Sequence, residues 1–424
     1  MSNLATAWGQ IRGYPAVVFL TCLLGWVLST MDQSLFGYAI PGIRDEFGAN
    51  LSEVGWVLSI SFIFAAFCSS LMGLLTDRFG RRTMFMFALA AAALLVGLHA
   101  FVVGLVSLAI LRMLAFGISN GLWPIICAFM AEAAPARYRG LLVALIQCGY
   151  PIGWFMASLF VVPLIASFGW RYIFLPALFV IPIAFLLVRF LPESKKFRIT
   201  QAHEAKTDSK SSKAIIPIGK IKELFAPDLM SRTLLLFAVF FLYGGAYAGT
   251  AFYFPSYFHE FRGYSMEKAT AIVGYSYGMA IIGYVSVAIL SEFYITRRNM
   301  CIVGFFLGAG AMLGLVWLPT SYIEDVVWFG IMAAVTYGSS AALSVLVSEI
   351  FPTRIRATAV GFVGSFALNI GYALFPLAVA YGIENIGWQW AFTLGVAPPL
   401  LMCCALLLFL DNIKSGLELD EISV

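Results

Sequence analysis

Twelve apolar stretches, each about as long as a bilayer is thick, leave this chain few folds open to it. They run near residues 16–40, 54–74, 83–103, 105–131, 141–164, 170–190, 232–257, 269–290, 300–319, 326–348, 357–381 and 389–410. About 20 apolar residues in a helix span the roughly 30 Å of hydrocarbon. Inside hydrocarbon every backbone polar group must be paired, which a helix achieves within one segment. The chain is 61% hydrophobic and 11% charged, against about 25% charged in a soluble domain, so a water-soluble globule is excluded. The expectation is an all-α polytopic membrane protein with twelve transmembrane helices.

A repeat divides the twelve into two sets of six. Glu132-Ala-Ala-Pro135-Ala-Arg137-Tyr-Arg139-Gly140 returns as Glu349-Ile-Phe-Pro352-Thr-Arg354-Ile-Arg356-Ala357, each shared residue displaced by 217 positions. Gly169-Trp170-Arg171-Tyr172 with Phe174 returns at nearly the same displacement as Gly387-Trp388-Gln389-Trp390 with Phe392. The reading is two pseudo-symmetric six-helix bundles, residues 1–191 and 231–424, joined by a cytoplasmic linker over 192–230. Such repeats are a common plan of membrane transporters.

Charge supplies the orientation. Arg78, Arg81, Arg82, Arg137, Arg139, Arg297, Arg298, Arg354 and Arg356 fall in alternate short loops, and the linker is rich in lysine, while the other loops hold only Arg44, Arg171, Arg262 and Lys268. By the positive-inside rule both termini and the linker are cytoplasmic. Within the polar linker, Lys220-Ile-Lys-Glu-Leu-Phe suggests a short surface helix. A net charge of +4, with the basic residues at segment ends, argues against a nucleic-acid partner and leaves the lipid bilayer and a small molecule. The seven cysteines lie in apolar segments without metal-ligand spacing and read as packing residues. No metal or organic cofactor is expected. No cleavable signal peptide is evident, Asn50-Leu-Ser52 fits a glycosylation sequon, and the chain is expected to act as a monomer.

Two charges lie deep in apolar segments. Asp32 sits halfway along the first, on one face with Gly25, Ser29 and Phe36. A carboxylate at that depth costs about 2.5 to 3.5 kcal/mol on insertion scales, so it must be protonated, paired or facing water. Arg112 in the fourth segment shares a face with Phe116, Ser119, Asn120 and Trp123. Pairing of Asp32 with Arg112 is the economical expectation, and a guanidinium fork suits a carboxylate. The two are candidates for proton coupling, and Arg112 also for substrate binding. His99 and His259 lie near segment ends, away from any expected proton relay.

Between the second and third segments, Gly73-Leu-Leu-Thr-Asp77-Arg78-Phe-Gly80-Arg81-Arg82 is similar to the signature loop of the major facilitator superfamily, whose members also have twelve segments in two halves. The resemblance implies alternating access, with Asp77, Arg78, Arg81 and Arg82 in a cytoplasmic gate. Glu132, Arg139, Glu349 and Arg356 would complete that gate through interhelical ion pairs. The second half keeps only Glu292-Phe-Tyr-Ile-Thr-Arg297-Arg298, which predicts a looser second gate. The acid and arginine of the first and fourth helices, with Pro192-Glu193-Ser194 and Glu349-Ile-Phe-Pro352-Thr-Arg354, resemble proton symporters of organic acids, including the sialate and aromatic-acid groups.

Candidates for contacting substrate are Arg112, Trp123, Gln147, Tyr150, Tyr243, Tyr247, Asn369 and Tyr372. Gln147 has amide donors and an acceptor. Gly149-Tyr-Pro-Ile-Gly153 reads as a bent, closely packed helix. Gly244, Gly245 and Pro255 make the aromatic seventh helix easy to bend. Asn369 needs polar partners in hydrocarbon. The reading is a secondary transporter, not an enzyme, that takes up a small anionic organic acid with protons across a plasma membrane, by resemblance a bacterial inner membrane. A sugar or polyol carrier, a drug exporter working by proton antiport, and a nontransporting receptor on the same fold stay open as alternatives.

Overall fold

The computed structural model describes residues 13–135, 139–191, 193, 218–352 and 355–412. The linker lysines at 206–213, Arg137, Arg354, Pro192 and Ser194 lie outside them, as does the side chain of Asp77. No strand occurs among the described residues.

Among the described residues, twelve helices are long and apolar enough to cross a membrane. We number them α1 (Tyr14–Phe47), α2 (Leu51–Phe79), α3 (Arg81–Phe101), α4 (Leu105–Met130), α5 (Arg139–Phe168), α6 (Trp170–Phe190), α7 (Met230–Phe261), α8 (Met266–Phe293), α9 (Arg297–Trp317), α10 (Tyr322–Ile350), α11 (Val360–Ile386) and α12 (Trp388–Leu408). A short helix, Ile218–Glu223, precedes α7, where the lysine pattern suggests one. An even number of spans puts the two ends of the bundle on one face, called here the terminal face.

The helix pairings carry the repeat. In the first half α1 packs on α5, α2 on α4 and α3 on α6; in the second half α7 packs on α11, α8 on α10 and α9 on α12. Adding six to each partner maps one set onto the other. The two most extensive contacts between the halves, α2 with α11 and α5 with α8, exchange under the same operation. The fold is thus two pseudo-symmetric six-helix bundles.

Glycines sustain one of these repeated pairings. A Cβ on Gly153 of α5 would lie 2.1 Å from the Thr30 hydroxyl of α1, and a Cβ on Gly371 of α11 would lie 2.2 Å from the Phe241 carbonyl of α7. The backbones approach this closely because neither glycine has a side chain, which is how helices without a hydrophobic drive between them associate in lipid. Thr30 adds a hydrogen bond to the Gly149 carbonyl at 3.0 Å.

Three prolines place breaks. Proline removes the bond to the carbonyl four residues back, and for Pro124, Pro151 and Pro255 that carbonyl belongs to Asn120, Gln147 and Ala251. The helix Leu105–Asn120 ends at the first, the α5 turn lies at Gln147 and Cys148, and Met230–Ala251 ends at the third. Pro163 and Pro376 sit in uninterrupted helix. Among the described residues, three π turns occur: Tyr257–Phe261 ends α7, Ala333–Tyr337 interrupts α10, and Val360–Phe366 begins α11.

Candidate functional site

Asn120, Tyr150 and Tyr337, at or beside interruptions, meet side chains from unbroken helix at the boundary between the halves. The Tyr247 hydroxyl donates to that of Tyr150 at 2.9 Å and lies 3.0 Å from that of Tyr277. Trp154, fully buried, stacks on Tyr277 with centroids 4.6 Å apart and planes 13° from parallel. Tyr337 packs against Tyr247 and Tyr277, and Tyr372 lies between Tyr247 and Phe62. Tyr150, Trp154 and Phe62 come from the first half, the remaining rings from the second. Beside them the Asn120 amide of α4 donates to the Asn369 amide of α11 at 3.0 Å, and Asn369 donates to the Ser365 carbonyl at 2.9 Å.

Asp32 and Arg112 depart from the expected pairing. No ion pair joins them. The Arg112 guanidinium carbon lies 4.4 Å from the ring centre of Phe36, 4.8 Å from Phe116 and 5.9 Å from Phe252 of the second half. Its Nη2 donates to the Gln33 carbonyl at 3.4 Å, and its Nε is buried without a hydrogen bond. A desolvated cation–π contact is worth about 2 kcal/mol, which offsets part of the cost of burying a guanidinium that no carboxylate neutralises. Asp32 is equally buried and its Oδ1 has no partner. The polar cluster on its helix forms next to it instead: Ser29 Oγ lies 2.6 Å from Ser119 Oγ, to which the Gln33 amide donates at 3.1 Å.

The other candidates divide. Tyr150, Tyr247, Asn369 and Tyr372 join the cluster between the halves. Trp123 instead packs on Trp26 of its own half, centroids 5.0 Å apart, and Trp26 faces Tyr150. Tyr243 stacks on Phe305 inside the second half at 5.2 Å. Gln147 lies half-buried in the α5 turn. Sequence reading missed the pairing of Asn120 with Asn369 and the place of Trp26. The signals were present, an amide and an indole within apolar segments, but a partner on another helix is invisible in one helix. His99 lies in the last turn of α3, as expected, and is buried there: its Nδ1 bonds the Leu95 carbonyl at 2.9 Å and its ring stacks on Phe174.

At the terminal face, Arg81 pairs with Glu132 at 3.3 Å. The Glu193 carboxylate accepts from the backbone N–H groups of Arg81 and Arg82 at 3.0 and 3.3 Å, placing an anion on the positive end of α3. Arg78 is exposed beside Phe79, and Arg139 is exposed. In the second half Arg297 bridges Glu292 at 2.7 Å and Glu349 at 2.6 Å while its side chain is 4% exposed. Arg356 acts electrostatically on the same Glu349. The second half therefore has an ion-paired cluster of its own at this face, in which one arginine collects both acids. Gly140 of α5 lies against Arg297, its would-be Cβ 3.1 Å from Nη2, so the halves touch here.

Polar contacts also join the halves at the opposite face. Arg44 of α1 pairs with Glu260 on the π turn of α7. Glu384 of α11 accepts from Ser52 of α2 through both its backbone N–H, at 2.9 Å, and its hydroxyl. Arg262 lies 3.4 Å from buried Asp325, and Tyr264 donates to the same carboxylate at 2.8 Å, pinning the α7–α8 loop to α10. Burial, with that carboxylate, pushes the Tyr264 phenol up to about 12. Asn50, in the sequon, caps α2 by accepting from the Glu53 N–H at 2.7 Å.

Twelve spans in two related bundles, with ion-paired faces and a polar-aromatic centre between the halves, define a membrane transporter. The chain belongs to the Major Facilitator Superfamily, whose pattern matches residues 22–367. It is 25% identical to the niacin transporter NiaP of Acinetobacter baylyi over 95% of this chain and 94% of that one. It is 27% identical to the 4-hydroxybenzoate transporter PcaK of the same organism, covering 90% of this chain and 87% of that one. Among solved structures, the partially occluded inward-open xylose transporter XylE from E. coli superposes with a TM-score of 0.74 at 18% identity, over 96% of this chain and 100% of that chain. That likeness concerns the fold alone. The family and these relatives make the protein a transporter and not an enzyme.

Proposed function

We propose that this protein imports small aromatic carboxylates together with protons by alternating access, with the terminal face cytoplasmic in a bacterial inner membrane. The observation that carries the reading is the aromatic cluster between the halves beside Arg112, a buried cation without a carboxylate partner. Relatives named for niacin, 4-hydroxybenzoate and gallate transport support the substrate class.

Arg112 holds the substrate carboxylate, and the ring enters among Tyr150, Trp154, Tyr247 and Tyr372. Asp32 binds the proton, which removes the charge whose burial in hydrocarbon is costly. With Asp32 neutral, Arg112 is available to the substrate, the arrangement expected when the two side chains do not pair. Opening at one face requires breaking the polar contacts there while those of the other face persist. Proton and acid then leave together into the cytoplasm, and no bond of the substrate is made or broken.

The test is proteoliposomes holding a pH dye, given nicotinate or 4-hydroxybenzoate and then neutral sugars, with protein-free liposomes alongside because permeant acids acidify the lumen unaided. Acidification that needs the protein and disappears in Asp32→Asn is expected. Substrate uptake without proton movement, unchanged in Asp32→Asn, would overturn the coupling.

A further inference from the structure

The amide pair of Asn120 and Asn369 crosses the boundary between the halves well inside the molecule. α4 runs toward the terminal face and α11 away from it, and the two residues lie ten and nine positions from those ends, Met130 and Val360. At 1.5 Å per residue each amide is about 15 Å from the terminal face, whereas Arg44 with Glu260 and Ser52 with Glu384 join the halves at the opposite one. Both helices change their hydrogen-bond pattern here. Asn120 closes the helix Leu105–Asn120, and Leu122–Ala133 resumes beyond Gly121. Asn369 stands three residues past the π turn Val360–Phe366 and donates back into it, to the Ser365 carbonyl at 2.9 Å. A broken ladder concentrates bending at that point. The parts on the terminal side carry ionic contacts: Glu132, paired with Arg81, follows Asn120, and Arg356, which acts on Glu349, precedes Asn369.

We infer that this bond is a central latch of the terminal face. It holds α4 to α11 while that face is closed and breaks when the face opens, so its strength sets the ratio of terminal-open to terminal-closed molecules. The inference rests on the alternating access proposed above. An amide left unbonded away from water is costly, and Asn369 is 4% exposed, so the pair stays closed as long as its surroundings are dry. Water that enters as the halves part bonds both amides in place of the bond lost, which brings the step close to balance. Such a latch opens with hydration, whereas an ionic contact opens by separating charges.

The test is hydrogen–deuterium exchange, read by mass spectrometry on the full chain in lipid nanodiscs, for wild type, Asn120→Ala, Asn369→Ala, the double variant and Arg44→Glu. In Asn120→Ala, protection of Leu122–Ala133 and Val360–Phe366 is expected to fall about fivefold, the scale of one neutral hydrogen bond. Protection of Tyr257–Phe261 at the opposite face holds or rises. The double variant falls no further than Asn369→Ala alone, as the loss of one shared bond requires. Arg44→Glu gives the opposite pattern. Unchanged protection in Asn120→Ala overturns the inference, as do additive losses in the double variant. Protection lost at both faces also overturns it, by showing that the pair only stabilises the fold. If Arg44→Glu moves the two faces in opposite directions and Asn120→Ala does not, the latch alone is lost. If neither does, alternating access fails and the latch with it.

Discussion

Arg112 shows how a single side chain is kept in place without its expected partner. Phe36, Phe116 and the Gln33 carbonyl suit a flat, delocalised cation. A lysine ammonium is more strongly hydrated and cannot present a fork to a carboxylate. Arg112→Lys should therefore weaken binding of aromatic carboxylates about tenfold, a loss of about 1.4 kcal/mol, while Arg112→Gln should abolish it. Titration calorimetry on the purified variants decides the matter, and a lysine variant binding as wild type would show that charge alone is needed.

Helix pairs depend on backbone approach that one methyl group can undo. Within α11, Gly371 lies against the Phe241 carbonyl, whereas a Cβ at Gly361 would meet nothing within 4 Å. Gly371→Ala should lower stability by about 1–3 kcal/mol, because the α7 backbone must shift. Gly361→Ala should be neutral or stabilising by up to about 1 kcal/mol, since it restricts the unfolded chain. Thermal melting in detergent compares the two substitutions in one helix. The helices of α4, α5 and α7 show a related economy: a proline cannot bond the carbonyl four residues back, the helix breaks there, and Asn120, Tyr150 and Tyr253 sit at or beside the breaks.

For the molecule as a whole, transport requires the contacts at the two faces to alternate. Arg44 with Glu260, and Ser52 with Glu384, join residues far apart in sequence and belonging to different halves. Exposed ion pairs contribute only about 0.2–1 kcal/mol, a size that lets a gate open on each cycle. Arg44→Cys with Glu260→Cys, once bridged by a bifunctional methanethiosulfonate linker, should stop uptake, and reductant, which cleaves the linker's disulfides, should restore it. Arg44→Glu should change the initial uptake rate about two- to fivefold, and adding Glu260→Arg should bring it back. Failure of the double reversal to recover the rate would show that the pair does not gate.

What sequence by itself determined here is whatever is written in single segments and in their repetition. Twelve spans follow from apolar length, the two related bundles from the recurrence of Glu132 to Gly140 as Glu349 to Ala357, and a bend in α5 from Pro151, because each depends on local composition and spacing. Tertiary structure decided which side chains meet. Asp32 and Arg112 lie on helices that pack in one half, yet rotation about each axis turns Arg112 onto phenylalanines rather than onto the acid, and helical periodicity does not set that rotation between helices. The bridge of Arg297 to both Glu292 and Glu349 and the amide pair of Asn120 with Asn369 arise in the same way. Each joins groups on different helices, and such distances exist only once the helices are packed.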